Sequence, residues 1–196
     1  ISQTNQGQSV ARNTGVVASA GEFISFVDSD DVIKANYLEE LMKYMTADVD
    51  IVESKFTVHK KDFFTDDFEK RTILFEGNSI EAVRAVPRHI LSVNPVTKLY
   101  RRSIVESVPY LEGVIFEDIY SGVGMLKYIR KIVKIDYVGY YYRQHQSSTM
   151  HRIFTEKNLD IFLVCDKLIE LYSDSEELLP YIGSFLVHVA TMHYQN

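Results

Sequence analysis

The sequence contains little cysteine and lacks long runs of apolar or of basic residues. Its single cysteine, Cys165, has no second cysteine within these 196 residues to pair with, which favours a reducing compartment such as the cytosol. No apolar run approaches the roughly 20 residues that a membrane-spanning helix needs. Acidic and basic residues are mixed along the chain and leave a net charge of −6, which argues against a nucleic-acid partner.

Hydrophobic residues make up 46% of the chain, enough for a substantial core. Alternating aromatic and β-branched residues predict strands at 22–27 and 50–56, and the Tyr- and Val-rich segment 132–143 predicts a hairpin or strand pair. Two amphipathic helices, 156–172 and 175–194, end the sequence. Strands that alternate with helices predict an α/β fold, here with a C-terminal helical appendage.

Three more helices and a loop belong to the predicted outline, one of them a short helix that Asn78 or Ser79 opens, that reaches Val86 and that Pro87 ends. An alanine-rich helix spans residues 10–20, with Ser9 as its cap and Gly21 as its left-handed stop. The third helix covers 117–129, with apolar residues on one face. The charged segment 60–71 has no apolar period, so we expect an exposed loop or hairpin there.

Three carboxylates, Asp28, Asp30 and Asp31, directly follow the first predicted strand. Ligands gather at the carboxyl ends of strands in α/β sheets, and clustered carboxylates repel one another unless a cation is present. Oxygen ligands of this kind suit Mg²⁺ or Mn²⁺, which also bind phosphate oxygens. The alternative is that Asp30 or Asp31 caps the next helix while the other carboxylates are solvated, and the four residues of this turn do not decide between the two.

Two nearby segments, 5–15 and 21–31, resemble the central signature of family-2 glycosyltransferases with the GT-A fold. The residues that carry the resemblance are Asn5-Gln6-Gly7-Gln8-Ser9-Val10-Ala11-Arg12-Asn13-Thr14-Gly15 and Gly21-Glu22-Phe23-Ile24-Ser25-Phe26-Val27-Asp28-Ser29-Asp30-Asp31. The resemblance implies a GT-A-type mixed, mainly parallel sheet flanked by helices. It also implies that Asp28 and Asp30 form the metal-binding Asp-x-Asp motif, with Asp30 or Asp31 touching a Mn²⁺ or Mg²⁺ ion.

The same resemblance implies a donor site. Gly7, Arg12 and Asn13 would lie near the nucleotide diphosphate, together with Asp28. Arg12 supplies a planar cation with several donors for phosphate oxygens. Its alternative is a structural ion pair with an acid such as Glu22.

A second acidic pair, Glu117-Asp118, follows the segment 111–116. The stretch resembles the family's Glu-Gly…Glu-Asp segment, in which the Asp is the catalytic base, so the resemblance assigns that role to Asp118 and places Glu117 beside it. The chemistry needs a carboxylate that takes a proton from the acceptor hydroxyl. The alternative is that both acids only favour the first turn of a helix, where the helix dipole stabilises negative charge.

Residues 140–149 resemble the family's Tyr-Arg-x-His-x-x-Ser stretch. The resemblance makes His145 a candidate third metal ligand through a neutral imidazole nitrogen, and Arg143 a candidate contact of the diphosphate. A surface loop with a solvated Arg143 is the alternative. Lys98 lies in a segment similar to the family's Lys-Leu-Tyr-Arg strand, and for it we favour a structural role over a place in the acceptor pocket.

The resemblance covers residues 1–149 and implies the C-terminal part of a GT-A catalytic domain, with residues 150–196 as a helical tail. We expect a family member to have a further nucleotide-binding part upstream. The apolar stripes of the tail helices favour packing onto the domain, with membrane-surface association or a homodimer as alternatives. These stripes consist of Ile161, Leu168, Leu171, Leu178, Leu179, Ile182 and Leu186.

The sequence therefore predicts a metal-dependent, inverting glycosyltransferase. We expect a nucleotide-sugar donor, in particular a UDP-sugar, and a glycan or lipid-linked glycan acceptor for cell-surface polysaccharide synthesis, at the cytoplasmic face of a membrane. Two other classes stay open: a non-catalytic module that binds sugar nucleotides or acts as a scaffold, and another metal-dependent nucleotidyl-transfer enzyme. The context of Glu117-Asp118 disfavours the last of these.

Overall fold

The computed structural model describes residues 1–59, 71–144 and 155–194, and its helices and strands alternate along the chain. In order they are α1 (Gln8–Ala18), β1 (Phe23–Ile24), β2 (Val32–Ile33), α2 (Tyr37–Met42), β3 (Ile51–Thr57), β4 (Ile73–Gly77), α3 (Ser79–Ala85), a 3-10 helix (Val86–Arg88), β5 (Lys98–Arg101), α4 (Arg102–Ser107), α5 (Glu117–Met125), β6 (Ile132–Tyr141), a second 3-10 helix (Glu156–Leu159), α6 (Asp160–Tyr172) and α7 (Leu179–Tyr194). The predicted α/β class is confirmed. The predicted loop at 60–71 lies outside the described residues, except for Arg71.

The six strands form one mixed sheet in the order β1-β5-β3-β6-β2, and β4 also pairs with β6. Only β3 and β6 pair in parallel among the described strands. β5 runs opposite to β1 and β3, and both β2 and β4 run opposite to β6. The expectation of a mainly parallel sheet is therefore wrong for this part of the chain. The strand–helix alternation misled it, because β5 follows a helix and yet pairs antiparallel with β1 and β3, whereas β6 pairs in parallel with β3.

Neighbouring residues on the central strands point to opposite faces of the sheet and enter two different cores. Ile51 and Ile132 belong to the larger cluster, which the sheet shares with α3, α4, α5, α6 and α7. Val52 and Val133, the next residues along, belong to a smaller cluster that includes Tyr37 and its helix α2. Helices thus cover both faces of the sheet, as the α/β prediction requires.

Within segment 132–143, residues Ile132–Tyr141 form the single strand β6, so the hairpin or strand pair predicted there is wrong. Gly139 continues the strand instead of turning it, and a side chain at this position would collide with the Tyr137 and Tyr37 rings. Arg71, which we expected to be exposed, is buried with its guanidinium 4.5 Å from the centre of the Tyr137 ring. Packing against that ring explains its burial.

The first helix begins and ends earlier than the sequence predicts. Gly7 is its N-cap and has φ 90°, a conformation that L side chains rarely adopt, while Ser9 is a buried residue within the helix. The helix ends at Ala18, where the Ser19 backbone amide donates to the carbonyl of Gly15, so Gly21 does not supply the stop. The first strand is also shorter than predicted and covers only Phe23–Ile24.

The apolar stripes of the C-terminal helices pack into the larger core. Five of their seven residues are buried: Ile161, Leu168, Leu178, Ile182 and Leu186. Tyr172 donates a hydrogen bond to the carbonyl of Val123 at 2.8 Å, and Gly124 allows close approach because a Cβ there would lie 2.9 Å from Leu171. The packing interpretation of the stripes is confirmed, and the domain boundary at residue 150 stays a prediction.

No helix within the described ranges is both long enough and apolar enough to cross a lipid bilayer.

A buried carboxylate, Glu53 of β3, joins three neighbouring strands. It is 1% exposed and lies 3.3 Å from the ammonium of Lys98 on β5 and 2.9 Å from that of Lys134 on β6. The backbone amide of Ser92 also donates to Glu53, and Lys98 donates to the carbonyl of Asn94 at 2.7 Å. Burial lowers the pKa of Lys98, and the Glu53 charge opposes this shift. The structural role favoured for Lys98 fits these contacts.

We expect Glu53→Gln to lower the free energy of unfolding by about 3–5 kcal/mol, because it leaves two lysines without their buried counter-charge. Urea unfolding followed by circular dichroism measures this loss. The matched control is Glu76→Gln, which removes an exposed carboxylate 2.8 Å from Lys131 and should cost at most about 1 kcal/mol. Equal losses in the two variants would contradict the assigned role of Glu53.

Candidate active site

Arg12 of α1 connects the two acidic segments that the sequence singles out. Its Nη1 donates to Oε1 of Glu117 at 2.9 Å, and its Nη2 lies 3.5 Å from Oδ1 of Asp28. The guanidinium also lies 5.3 Å from the centre of the Tyr110 ring. Glu22, the alternative partner, pairs instead with Arg101 at 3.0 Å. Arg12 is therefore an ion-pair residue, but its partners belong to the candidate site.

Glu117, the first residue of α5, lies inside the protein and is 3% exposed. Its Oε1 accepts from Arg12 and also from Nε2 of Gln8 at 2.5 Å. The preceding residue, Phe116, has φ 67° and directs the chain into the helix from a left-handed conformation. Because this carboxylate is buried and paired, the structure suits Glu117 to holding Arg12 and α5 in place. We predicted a catalytic role for Glu117 beside Asp118. The described contacts of its carboxylate are with Arg12 and Gln8, and the catalytic role stays a prediction.

Asp118 lies one residue further along and is partly buried. Burial raises the pKa of its carboxyl, and the neighbouring Glu117 charge raises it further, while the Ile119 backbone amide donates to its Oδ1 at 2.9 Å and lowers it. A carboxylate with a raised pKa is a stronger base than an exposed aspartate. Asp118 thus has the property that its predicted role requires.

The acidic turn, residues 28–31, follows β1 and is closed by a hydrogen bond from the Asp31 amide to the Asp28 carbonyl. Asp28 is half-buried, and burial raises the pKa of its carboxyl, with Arg12 opposing the shift and Asp31 and Asp30 adding to it. Asp30 is exposed. Asp31 accepts from the Tyr140 hydroxyl at 2.6 Å and from the Arg143 backbone amide at 2.9 Å.

The predicted metal ligands differ in how well they suit a cation. Within residues 1–59, 71–144 and 155–194 no three acidic, histidine or cysteine side chains converge as a ready-made metal site, so the grouping of Asp28, Asp30 and Asp31 is not found there. The reason is that Asp31 turns toward β6. Asp28 and Asp30 still fit Mg²⁺ or Mn²⁺, because such ions are commonly held by one or two carboxylates together with substrate phosphates. His145 lies outside the described residues.

Arg143 lies where the sequence places it, against the acidic turn. Its backbone amide binds Asp31, and its Nε donates to the carbonyl of Asp30. A donor-binding role for this residue stays a prediction. The end of β6 and the acidic turn are nonetheless neighbours, as the combined motif predicts.

Asn13 has a different set of partners from the predicted one. Its side-chain amide donates to the Tyr110 carbonyl at 2.9 Å and to Glu112, and its oxygen accepts from the Tyr110 amide at 3.0 Å. These bonds fasten α1 to the segment before α5. Donor binding by Asn13 stays a prediction. Gly7 lies at the start of α1, next to Gln8, which binds Glu117.

Sequence reasoning assigned no role to three residues that shape the site: Gln8, Tyr110 and Tyr140. Gln8 and Tyr140 lie within the motif segments, but the partner of each of the three residues lies about 100 residues away in the sequence and gives no local signal. A groove of about 460 Å³ runs along α1 and β1 from Phe23 to Arg12 and Asp28. The groove ends beside the acidic turn, at Asp28 and Ser29.

Known proteins resemble this chain in sequence and in fold. The sequence model of the family described as "Glycosyl transferase family 2" matches residues 1–108. EpsH of Bacillus subtilis (strain 168) is 28% identical over 198 aligned residues, which cover 95% of this chain and 57% of EpsH. Poly(ribitol-phosphate) beta-N-acetylglucosaminyltransferase TarP of Staphylococcus aureus (strain N315) is 26% identical over 54% of this chain and 31% of TarP.

A solved structure shares the fold along the whole chain. The crystal structure of S. aureus TarS 1–349 in complex with UDP-GlcNAc superposes with a TM-score of 0.67 at 17% identity, covering 100% of this chain and 55% of that one. The likeness confirms the predicted GT-A-type fold class. The chain spans a little over half the length of EpsH and of the TarS structure.

The first prediction from this site concerns the ion pair of Arg12 and Glu117. Arg12→Gln leaves Glu117 buried without a cation and should lower the free energy of unfolding by about 3–5 kcal/mol. Adding Glu117→Gln removes that uncompensated charge, so the double variant should recover about 1–3 kcal/mol in urea unfolding. Lys167→Gln, which breaks an exposed pair with Glu170, is the control and should cost at most about 1 kcal/mol. A double variant less stable than Arg12→Gln would exclude the pairing.

The second prediction concerns pH. Because the folded protein raises the Asp118 pKa, ionised Asp118 destabilises the fold above that raised value, and the penalty vanishes below the unfolded value of roughly 3.9. Asp118→Asn should therefore raise the melting temperature at pH 7, and the gain should fade as the pH approaches 4. The control is Asp136→Asn at an exposed pair with Lys55. A melting temperature lowered at pH 7 would instead favour the helix-end alternative for Asp118.

Proposed function

The chain belongs to glycosyltransferase family 2, and on that premise we propose that it transfers a sugar from a nucleoside diphosphate to a hydroxyl acceptor. One observation carries the proposal. Arg12 contacts both Asp28 and Glu117, so the acidic turn and the start of α5 lie on either side of one guanidinium. A donor-binding group and a base must meet at one place for direct transfer, and this contact brings their segments together.

We assign the base to Asp118. Its carboxylate takes the proton of the acceptor hydroxyl while the hydroxyl oxygen attacks the anomeric carbon and the bond to the diphosphate breaks. The sugar then inverts its anomeric configuration in a single displacement. The raised pKa of Asp118 supports this assignment, since it makes the carboxylate a better proton acceptor.

We assign donor binding to the acidic turn. Asp28 and Asp30 would hold a Mn²⁺ or Mg²⁺ ion, which supplies a positive charge for the oxygens of the leaving diphosphate. Burial raises the pKa of Asp28 and so disfavours its charged form, and a bound cation would offset that cost. Arg143, at the end of β6, lies close enough to this turn to add a second cation.

Two relatives support a proposal for the substrates. TarS was crystallised with UDP-GlcNAc, and TarP is named for transfer of N-acetylglucosamine to poly(ribitol phosphate). We propose a UDP-sugar as donor and a cell-surface glycan or lipid-linked glycan as acceptor. The cytoplasmic face of a membrane as the place of reaction stays a prediction.

Two variants separate the base from the donor site, measured in the protein at its natural full length. Asp118→Asn removes basicity but keeps the shape of the side chain, so the transfer rate should fall by about 10²–10⁴-fold while UDP affinity with Mn²⁺ stays near wild type. Asp30→Asn should instead weaken Mn²⁺-dependent UDP binding itself. Because Asp30 is exposed, we expect the melting temperature of the Asp30→Asn variant to equal that of the wild type.

Titration calorimetry with UDP and a nucleotide-release assay over a panel of UDP-sugars give both readouts. Normal transfer by Asp118→Asn would remove Asp118 from the reaction. Mn²⁺-dependent UDP binding by a wild-type protein that releases no nucleotide from any donor and acceptor pair would support the non-catalytic binding module instead.

A further inference from the structure

The hydroxyl of Tyr140 binds both ends of the acidic turn. It donates to Oδ2 of Asp31 at 2.6 Å and accepts from the backbone amide of Asp28 at 3.2 Å. A single side-chain oxygen thus fixes the first and last residues of the turn that contains Asp28 and Asp30. The backbone bond from Asp31 to Asp28, at 3.1 Å, closes the turn on itself.

The position of this hydroxyl is set by the sheet and the core. Tyr140 is 0% exposed, and its ring packs edge-on against that of Tyr37 with 6.3 Å between centroids. Its backbone lies in β6, opposite Ile33 of β2 on one side and Phe56 of β3 on the other. The ring cannot shift without disturbing these strands, so the hydroxyl is a fixed point against which the turn is held.

Asp31 connects the acidic turn to this fixed hydroxyl. One of its carboxylate oxygens binds the Tyr140 hydroxyl and the other binds the Arg143 backbone amide, so the end of β6 holds both. The carboxylate therefore faces the protein at both oxygens. Asp30 is exposed and Asp28 is half-exposed beside Arg12, so these two carboxylates remain accessible to a ligand.

We propose that Tyr140 is a positioning residue for donor binding: through Asp31 and the Asp28 amide it holds the acidic turn in the shape in which Asp28 and Asp30 can bind a metal–diphosphate group. The inference rests on the proposed function of the turn. Burial and the hydrogen bond to Asp31 raise the pKa of Tyr140, so the hydroxyl keeps the proton that it donates.

The chain offers a matched control on the same strand. Tyr137 is also 0% exposed, and its hydroxyl binds Oδ1 of Asn36 at 2.9 Å, at the start of α2. Tyr137→Phe and Tyr140→Phe each remove one buried, hydrogen-bonded hydroxyl from β6. Only the second removes a bond to the acidic turn, so a difference between the variants reports the turn and not the loss of a buried hydroxyl.

The experiment measures Mn²⁺-dependent UDP affinity by calorimetry and amide hydrogen exchange of residues 28–31 without ligand, in the full-length protein. Tyr140→Phe should weaken UDP binding about tenfold, because it removes both hydrogen bonds of the hydroxyl to the turn, and should speed exchange at the turn. Tyr137→Phe should do neither. Asp31→Ala leaves the core tyrosines intact and should weaken UDP binding by a similar factor, with little further loss in the double variant.

Three outcomes would overturn the inference. UDP affinity in Tyr140→Phe equal to that in Tyr137→Phe removes the positioning role, whatever the exchange result. If Tyr140→Phe does not fold, normal UDP affinity in Asp31→Ala has the same meaning. A wild-type protein that binds no UDP with Mn²⁺ refutes the donor function of the turn and the inference with it, whereas the first two outcomes leave that function standing.

Discussion

The site depends on the pairing of one arginine with one buried carboxylate. Glu117 lies almost fully inside the protein, where an unpaired negative charge is costly, and Arg12 compensates it at 2.9 Å. The planar guanidinium has donors in a fixed fork, so its second arm reaches Asp28. Three elements are thereby placed relative to one another: α1, the acidic turn and α5. Asn13, the next residue of α1, strengthens the arrangement by binding the Tyr110 backbone.

Strand β6 supports the site from the opposite side. Near its start Lys134 neutralises the buried Glu53, and at its end Tyr140 and the Arg143 amide hold Asp31. The pairing of β3 with β5 places Glu53 opposite Lys98, and its pairing with β6 places Glu53 opposite Lys134. The same strand thus contributes to core stability and to the shape of the acidic turn.

The sequence predicts the parts of this structure that local chemistry determines. Strand β3 and the helix after Asn78 follow from apolar runs and a cap, and the structure shows the capping box between Asn78 and Glu81. The sequence does not predict β2, because this strand has only two residues. It does not predict β4, because the residues of this strand do not alternate between buried and exposed. The neighbourhood of Asp28 and Asp118 follows from a family resemblance. The contacts that fix it do not, because Tyr140 and Asp31 are 109 residues apart and neither residue alone signals its partner.

The parallel pairing of β3 with β6 also has a kinetic consequence. Ile51 pairs with Ile132 across about 80 residues, and Arg12 meets Glu117 across 105, so the strand pairing and the site both need contacts between distant parts of the chain. Such contacts are slow to form because the chain must close a long loop before they stabilise it. Local helices such as α3 can form before this closure, whereas the acidic turn reaches its final shape only when β6 has joined the sheet. The final shape of the acidic turn therefore reports completed folding more strictly than helix content does.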